Sequence, residues 1–300
     1  MRYDRACELV EQLKLDVDDL LARAERADGA QAEDPQALPK EIARREALRE
    51  KLDAARKRLE EQAKTRAERE REEYEAKLAA REARPGHRKG KEPKPPHATP
   101  GNDEHSNLTD PDSRLMRKNK HSEYRQSYNA QAAVDAQGSQ LILGTRITQC
   151  ASDRNERVAT VATIPEEVGS PDTVLADNGY ACGEEVETLS GRGIDALVAT
   201  GAQGRQRQYD FRPPKDAQPP QEPKAEWLIG MKAKLKSEAG REKYRWRKQT
   251  GEPVFGIIKN VLGFRHFSLR GLAKVEGEWE LLALAYNCKR LHRLQRAPAG

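Results

Sequence analysis

Apolar residues recur at alternating steps of four and three in the first part of the chain. Over residues 4–27 this spacing predicts a helix, because residues at such steps share one helix face. A second helix is predicted over residues 40–83, where Pro39 suits the first turn. The stripe positions are Ala6, Val10, Leu13, Val17, Leu20 and Ala24, then Leu48, Leu52, Ala55 and Leu59, thinning to Ala63 and Ala67. Residues 1–83 therefore predict a helical hairpin, a coiled-coil arm with two antiparallel helices.

Residues 84–108 have a different composition. They contain five Pro, three Gly and almost no apolar residue. Such a segment cannot bury enough surface to offset the entropy of folding. Its basic residues are Arg84, Arg88, Lys89, Lys91 and Lys94. We expect a disordered, basic, Pro-rich linker that tethers the arm to the rest of the chain.

Residues 109–300 have the periodicities of a folded core. Tyr128 to Asp135 alternate between apolar and polar side chains, and Leu141 to Thr148 follow a turn at Gly138, which predicts a β-hairpin. The continuous apolar run Thr173 to Asp177 predicts a buried, parallel strand. Further helices are predicted over 154–167, 184–189, 225–239, 252–261 and 276–296, with a strand over 194–200 and a loop insertion at about 201–238. The last helix carries on one side Leu281, Leu284, Cys288, Leu291 and Leu294. This order predicts an α/β fold, with a mixed sheet flanked by helices.

Composition narrows the classes of protein to consider. The chain has 300 residues, 36% hydrophobic and 34% charged, and no run approaches the roughly 18 apolar residues of a membrane-spanning helix. Its four cysteines include no C-x-x-C pair, so no zinc or redox motif is readable. Isolated thiols suit a reducing compartment. We therefore expect a cytoplasmic protein with no membrane partner.

The net charge of +5 is unevenly distributed. Residues 241–300 hold 13 basic and 5 acidic residues, and this local excess of positive charge favours a polyanionic partner. Residues 41–80 hold 12 basic and 11 acidic residues, which indicates a surface of alternating charge. The balanced charge favours a spacer or dimerisation arm over an arm that contacts DNA.

Three carboxylates occupy positions where a site can form. Asp135 lies on the polar face near the end of the first strand of the hairpin, and Asp177 ends the buried strand, where open α/β sheets bind ligands. Glu252 opens the helix in the most basic part of the chain. Carboxylate oxygens are suitable ligands for Mg²⁺. Two such ions about 3.5–4 Å apart can stabilise the attacking and the leaving oxygen when a phosphodiester bond is cleaved in line. Because the chain has 49 acidic residues, spacing alone does not distinguish this triad from solvated carboxylates.

Several motifs in order add context to these carboxylates. They are TDPDSRLM (109–116), QSYNAQAAVD (126–135), VLADNGY (174–180), YRWRKQTGEPVFGIIK (244–259) and GFRHFSLRGL (263–272). Together they resemble the catalytic domain of bacterial insertion-sequence DDE transposases. The resemblance covers residues 109–295 and, more loosely, the helical arm.

The resemblance implies a ribonuclease-H-like fold and two divalent ions, Mg²⁺ or Mn²⁺, held by Asp135, Asp177 and Glu252. It implies metal-dependent cleavage of DNA at the ends of an insertion sequence, followed by strand transfer. One metal would activate water or a 3′-hydroxyl, the other would stabilise the leaving 3′-oxygen, and no covalent enzyme–DNA intermediate is needed. The implied partners are element ends, target DNA and further copies of the chain, at the bacterial nucleoid.

The third motif of this family is often written Tyr-x2-Arg-x3-Glu-x6-Lys. Glu252 and Lys259 fit it, two helical turns apart on one face. Lys248 stands at the Arg position and Arg245 at the Tyr position, with Tyr244 one residue earlier. The basic character of the motif is therefore kept, while its Tyr is out of register.

The same region predicts the DNA contacts. Pro253 disfavours helical geometry at Glu252, so we expect this glutamate at the beginning of its helix. The basic residues predicted to bind DNA are Arg245, Arg247, Lys248, Lys259, Arg265 and Arg270.

Other functions stay open at this point. A nuclease of the same fold would cut DNA without joining ends. Related transposases carry a DNA-binding region before the arm, whereas this chain begins at the arm, so we expect an N-terminally truncated protein. An inactive remnant would bind DNA non-specifically, with a steep salt dependence, or act only as a coiled coil.

Overall fold

The computed structural model describes residues 1–27, 37–83, 92–117, 121–201 and 225–296. These residues form two compact units, Met1–Gln126 and Ser127–Gly300. The predicted insertion at about 201–238 lies mostly outside the described residues. No described helix is long and apolar enough to cross a membrane.

The first unit is built on two long helices, α1 (Tyr3–Ala27) and α2 (Ala37–Glu82). Two contacts show that they run antiparallel. Near the beginning of α1 the Tyr3 hydroxyl donates to Glu60 at 3.0 Å, whereas further along α1 Asp16 pairs with the earlier α2 residue Arg45 at 3.4 Å. Most stripe positions are buried as predicted: Ala6, Val10, Leu13, Val17, Leu20, Leu52, Ala55, Leu59, Ala63 and Ala67. Leu48 is an exception and is exposed.

The end of the predicted linker contacts the beginning of α1. The amino group of Met1 donates to the Ser106 carbonyl at 2.8 Å, and the Tyr3 amide donates to the Glu104 carbonyl at 2.9 Å. Arg66 on α2 pairs with the Glu104 carboxylate at 2.7 Å. This part of the segment is therefore attached to both helices. Two short strands follow, β1 (Arg114–Met116) and β2 (Arg125–Ser127).

The predicted β-hairpin begins the second unit. Its strands are β3 (Asn129–Val134) and β4 (Ile142–Thr148), paired antiparallel. The apolar face of β3 packs against the main core, as its alternation predicts; its residues are Tyr128, Ala130, Ala132 and Val134. The opposite face carries Gln131, which is nevertheless buried.

The buried strand predicted before Asp177 is also confirmed. It is β5 (Thr173–Ala176), and it pairs in parallel with β6 (Asp195–Val198) across the helix α4 (Gly183–Gly191). The helix before β5 is shorter than predicted. Only α3 (Arg157–Val161) is α-helical, because Pro165 interrupts the segment before the short 3-10 turn Glu166–Val168.

The fold is mixed α/β, as predicted. The strands of the described residues form three two-stranded sheets, namely β1–β2, β3–β4 and β5–β6. A single ribonuclease-H-like sheet stays a prediction.

Four helices complete the second unit: α5 (Glu226–Lys236), α6 (Glu238–Arg245), α7 (Arg247–Asn260) and α8 (Leu272–Arg296). The prediction that Glu252 lies at the beginning of its helix is wrong, because α7 begins at Arg247 and contains Pro253. A proline inside a helix leaves the carbonyl four residues earlier without its amide partner. That carbonyl belongs to Gln249, and it accepts a hydrogen bond from the Gln140 side chain instead.

The core of the second unit lies between the hairpin, α7 and α8. Trp279 is its largest buried residue and stacks on Phe255, with ring centroids 5.8 Å apart. The other buried members are Ile142, Ile147, Val254, Ile258, Val275, Ala283 and Tyr286. The side of α8 marked by its leucines in the sequence is instead exposed: Leu281, Leu284, Cys288, Leu291 and Leu294.

Candidate active site

Asp135 directly follows β3 and organises the turn of the hairpin. Its Oδ1 accepts from the Gln137 amide at 3.0 Å, and its Oδ2 accepts from the amide and hydroxyl of Ser139. Burial by itself would raise the pKa of Asp135, but these hydrogen bonds outweigh it and lower the pKa. The carboxylate is therefore ionised and has an acceptor role near neutral pH.

Asp177 directly follows β5 and is exposed. Its Oδ1 accepts from the Gly179 amide at 2.7 Å, which closes a short turn over Asn178–Tyr180. A Cβ atom at Gly179 would lie 2.9 Å from Asp177 Oδ1 and 3.4 Å from Asp153 Oδ2. A side chain at residue 179 would therefore crowd the Asp177 carboxylate.

Buried hydrogen bonds connect this turn to β3. The Tyr180 hydroxyl donates to Gln131 Oε1, and Gln131 Nε2 donates to Asp153 Oδ1 at 2.8 Å. Asn129 Nδ2 donates to the same Asp153 oxygen at 2.7 Å. Burial raises the pKa of Tyr180, and the charges of Asp153 and Asp177 raise it further. Tyr180 therefore stays a neutral donor.

A second tyrosine contacts the end of β5, next to Asp177. The Tyr244 hydroxyl donates to the carbonyl of Ala176 at 3.0 Å. The guanidinium of Arg247 lies 5.6 Å from the Tyr244 ring centre, and its Nη1 lies 3.7 Å from Glu252 Oε1. Burial raises the pKa of Tyr244, against the opposing charge of Arg247. These contacts connect the end of β5 to Glu252 on α7.

The three predicted carboxylates do not form a closed cluster. Among the described residues, no group of three or more His, Cys, Asp or Glu side chains is arranged to hold a metal ion. Asp135 binds its own turn, and Glu252 pairs with Arg247. The donor chemistry nevertheless fits Mg²⁺, because the three predicted side chains are carboxylates, whose oxygens are the ligands that Mg²⁺ prefers. A fourth carboxylate, that of Asp153, lies near the turn after Asp177.

The predicted DNA-binding residues differ in exposure. Arg247 is partly buried between Tyr244 and Glu252. The other five are exposed: Arg245, Lys248, Lys259, Arg265 and Arg270. Lys259 also lies over the Phe255 ring, 5.7 Å from its centre. DNA contact by these residues stays a prediction.

Sequence reasoning missed the residues that surround Asp177. Gln131 and Tyr180 both lie inside the recognised motifs, but their pairing is tertiary. The one available signal for Gln131 was its place on the polar face of a predicted strand. Asp153 carries no periodic or motif signal and is one acidic residue among many. Tyr244 and Arg247 keep the Tyr-x2-Arg spacing one residue before the positions that the motif assigns from Glu252, and their contact is visible only in the structure.

Comparison with known proteins identifies the family of the chain. A family model described as the transposase DDE domain matches residues 96–288, a span that includes Asp135, Asp177 and Glu252. No significant match was found among curated proteins or among solved structures. Because the family match covers more than half of the chain, the chain belongs to the transposase DDE domain family.

Proposed function

We propose that the chain cuts DNA strands in a metal-dependent reaction and transfers the resulting 3′-ends to target DNA. Asp135, Asp177 and Glu252 are the proposed catalytic carboxylates and metal ligands, with Asp153 beside them. Members of this family use divalent metal ions. When bound, Mg²⁺ or Mn²⁺ supplies Lewis-acid stabilisation of the charge that develops on phosphate oxygens.

The chain of contacts from β5 to α7 carries this proposal. Ala176 accepts from Tyr244, Tyr244 lies against Arg247, and Arg247 pairs with Glu252. The second and third acidic positions of the family are therefore connected by direct contacts at the carboxyl end of a parallel strand pair. Ligands of open α/β sheets bind at this end.

Asp177 has the properties of a metal ligand in this arrangement. It is exposed and carries a carboxylate, the Tyr180 hydroxyl ties the turn that follows it to Gln131, and the Tyr244 hydroxyl bonds the Ala176 carbonyl that precedes it. Holding a ligand in place before the metal binds reduces the cost of assembling the site. Arg247 lies 3.7 Å from the Glu252 carboxylate, whose side chain is 70% exposed and therefore accessible to a metal ion.

The loop between α7 and α8 supports DNA as the substrate. Phe264 and Phe267 pack into the core, and the Glu278 carboxylate accepts the amide of Ser268 at 3.0 Å. The loop is thereby fixed while Arg265 and Arg270 stay exposed. Exposed guanidinium groups on a fixed loop suit phosphate contacts, which position a duplex without reading its sequence.

The proposal is tested with supercoiled plasmid DNA, which needs no knowledge of the element ends. We expect nicking in Mg²⁺ or Mn²⁺ and none in EDTA. Asp177→Asn should reduce the rate roughly a hundredfold or more, as for other losses of transition-state charge stabilisation. The matched control is Asp172→Asn, an exposed aspartate just before the same strand. Equal rates for Asp177→Asn and the wild type would refute the assignment.

A joining assay separates the alternatives. A labelled oligonucleotide with a 3′-hydroxyl is incubated with the plasmid, and label that becomes covalently attached reports strand transfer. Nicking without attachment identifies a nuclease. Salt-dependent DNA binding without nicking identifies an inactive DNA-binding protein. We also propose that more than one copy of the chain acts together, since two element ends must be joined.

A further inference from the structure

The turn after Asp135 is held by contacts from two helices. Its backbone is unusual, because Gly138 has φ 110° and Gln140 has φ 55°, the left-handed region that non-glycine residues rarely enter. Arg290 on α8 donates to the carbonyl of Ser139 at 2.6 Å and to that of Gly138 at 3.1 Å. The Tyr286 hydroxyl donates to the Gln140 carbonyl at 3.1 Å.

The side chain of Gln140 makes a further contact on α7. Its Nε2 donates to the backbone carbonyl of Gln249. In an uninterrupted helix that carbonyl would accept the amide of residue 253, but residue 253 is proline and has no amide hydrogen. Pro253 therefore makes an acceptor available on α7, three residues before Glu252, and Gln140 uses it.

We propose that Gln140 is a positioning residue, which joins the turn of Asp135 to the helix of Glu252 through the carbonyl that Pro253 leaves open. This inference rests on the proposed function, since it concerns two of the proposed catalytic carboxylates. The first and third acidic positions are thereby connected by one hydrogen bond. Tyr286 and Arg290 hold the same turn from α8, so the side chain of Gln140 reaches α7 from a fixed backbone.

The left-handed backbone of Gln140 is consistent with this role. Local strain of this kind persists where surrounding contacts over-determine the conformation, and it is common at functional sites. A glycine or asparagine would adopt this φ at lower cost. Neither has a side chain long enough to replace the glutamine amide at the Gln249 carbonyl.

The test is a double-mutant cycle of Gln140→Asn and Pro253→Ala. Gln140→Asn keeps a residue that tolerates the turn but removes the contact. Pro253→Ala restores an amide that competes with Gln140 for the Gln249 carbonyl. We expect each variant to reduce metal-dependent nicking about tenfold to a hundredfold, as small misplacements of reacting groups do. The double variant should nick DNA no more slowly than the slower single variant, because both substitutions remove the same hydrogen bond.

Thermal stability distinguishes positioning from general structural support. Pro253→Ala should raise Tm, because alanine is the better helix residue, although nicking falls. A merely structural role for Pro253 predicts that Tm and activity change together. The control Gln295→Asn makes the same change at an exposed position of α8 and should leave both unchanged.

Amide hydrogen exchange tests the hydrogen bond between Gln140 and the Gln249 carbonyl without any metal or DNA. Residues 136–141 should exchange faster in Gln140→Asn and in Pro253→Ala, and at the wild-type rate in Gln295→Asn. Unchanged exchange in both test variants, or additive losses of activity in the double variant, would overturn the proposal. If the wild type itself fails to nick DNA, the proposed function fails and the positioning role falls with it, while exchange still reports whether the hydrogen bond exists.

Discussion

The hydroxyl of Tyr180 donates a hydrogen bond to the side-chain oxygen of Gln131, a residue that is only 2% exposed. This bond connects the turn after Asp177 to the strand that leads to Asp135. The backbone carbonyl of Gln131 also accepts from the indole of Trp279 at 2.9 Å, so the connection extends into the core. The turn after Asp177 is therefore connected to the core through Gln131.

Removing the Tyr180 hydroxyl should weaken metal use as well as lower stability. Tyr180→Phe leaves the buried Gln131 oxygen without its donor, which costs about 1–3 kcal/mol. The loss of a group that orients a metal ligand is expected to raise the Mn²⁺ concentration for half-maximal nicking about tenfold to a hundredfold. Tyr3→Phe is the control, because it removes a tyrosine hydroxyl that bonds Glu60 in the arm. An unchanged Mn²⁺ dependence in Tyr180→Phe would contradict this account.

A methyl group at Gly179 should displace Asp177. The new Cβ would lie 2.9 Å from Asp177 Oδ1, closer than ordinary van der Waals contact allows, so the carboxylate must move. We expect Gly179→Ala to reduce nicking at least about tenfold, on the scale of misplaced catalytic groups. Gly191→Ala is a suitable comparison, since a Cβ there meets nothing within 4 Å. Similar nicking rates for the two variants would show that the turn tolerates a side chain.

The pH dependence of stability should reveal the hydrogen bonds of Asp135. Burial opposes ionisation of this carboxyl, but the bonds from Ser139 and Gln137 lower its pKa below the ordinary value. A group with a depressed pKa stabilises the fold above its unfolded pKa and loses that contribution as the pH falls through its folded pKa. The Tm difference between the wild type and Asp135→Asn should therefore be largest near neutral pH and shrink below about pH 4. A difference that stays constant down to pH 2 would exclude this explanation.

The exposed arginines of the loop between α7 and α8 should contribute to DNA affinity without sequence preference. Each phosphate contact adds about 0.9 to the slope of log affinity against log salt for duplex DNA. Arg265→Ala and Arg270→Ala should each reduce that slope by about one, with Tm unchanged. The control is Arg192→Ala, at the end of α4. Slopes equal to the wild type in both loop variants would remove these residues from the DNA interface.

The sequence predicted elements well where a single face meets the core. The hairpin of β3 and β4 and the stripes of α1 and α2 follow from periodicity alone, because each has one apolar side to bury. The beginning of α7 could not be predicted, because Pro253 is accommodated by a partner far away in the chain, Gln140. The leucines of α8 share one side of the helix, but Trp279 and Tyr286 on another side fill the core. The pattern of leucines therefore does not identify the buried side of this helix.

The candidate site was predicted in part. The motifs located Asp135, Asp177 and Glu252, but they contain no information on what holds each carboxylate. Gln131 bonds both Asp153 and Tyr180, in the turn after Asp177, through contacts between separate elements, which no local pattern records. The motif spacing puts Lys248 at the Arg position, whereas the basic residue that contacts Glu252 in the structure is Arg247.

The nicking rate of supercoiled plasmid in Mn²⁺, compared among Asp135→Asn, Asp177→Asn, Glu252→Gln and the control Asp172→Asn, tests the central claim most directly. We predict that each of the first three variants loses roughly a hundredfold or more while still binding DNA and keeping a cooperative thermal transition. Asp172→Asn should nick at the wild-type rate. Nicking at the wild-type rate by any of the three carboxylate variants would contradict the proposed catalytic set.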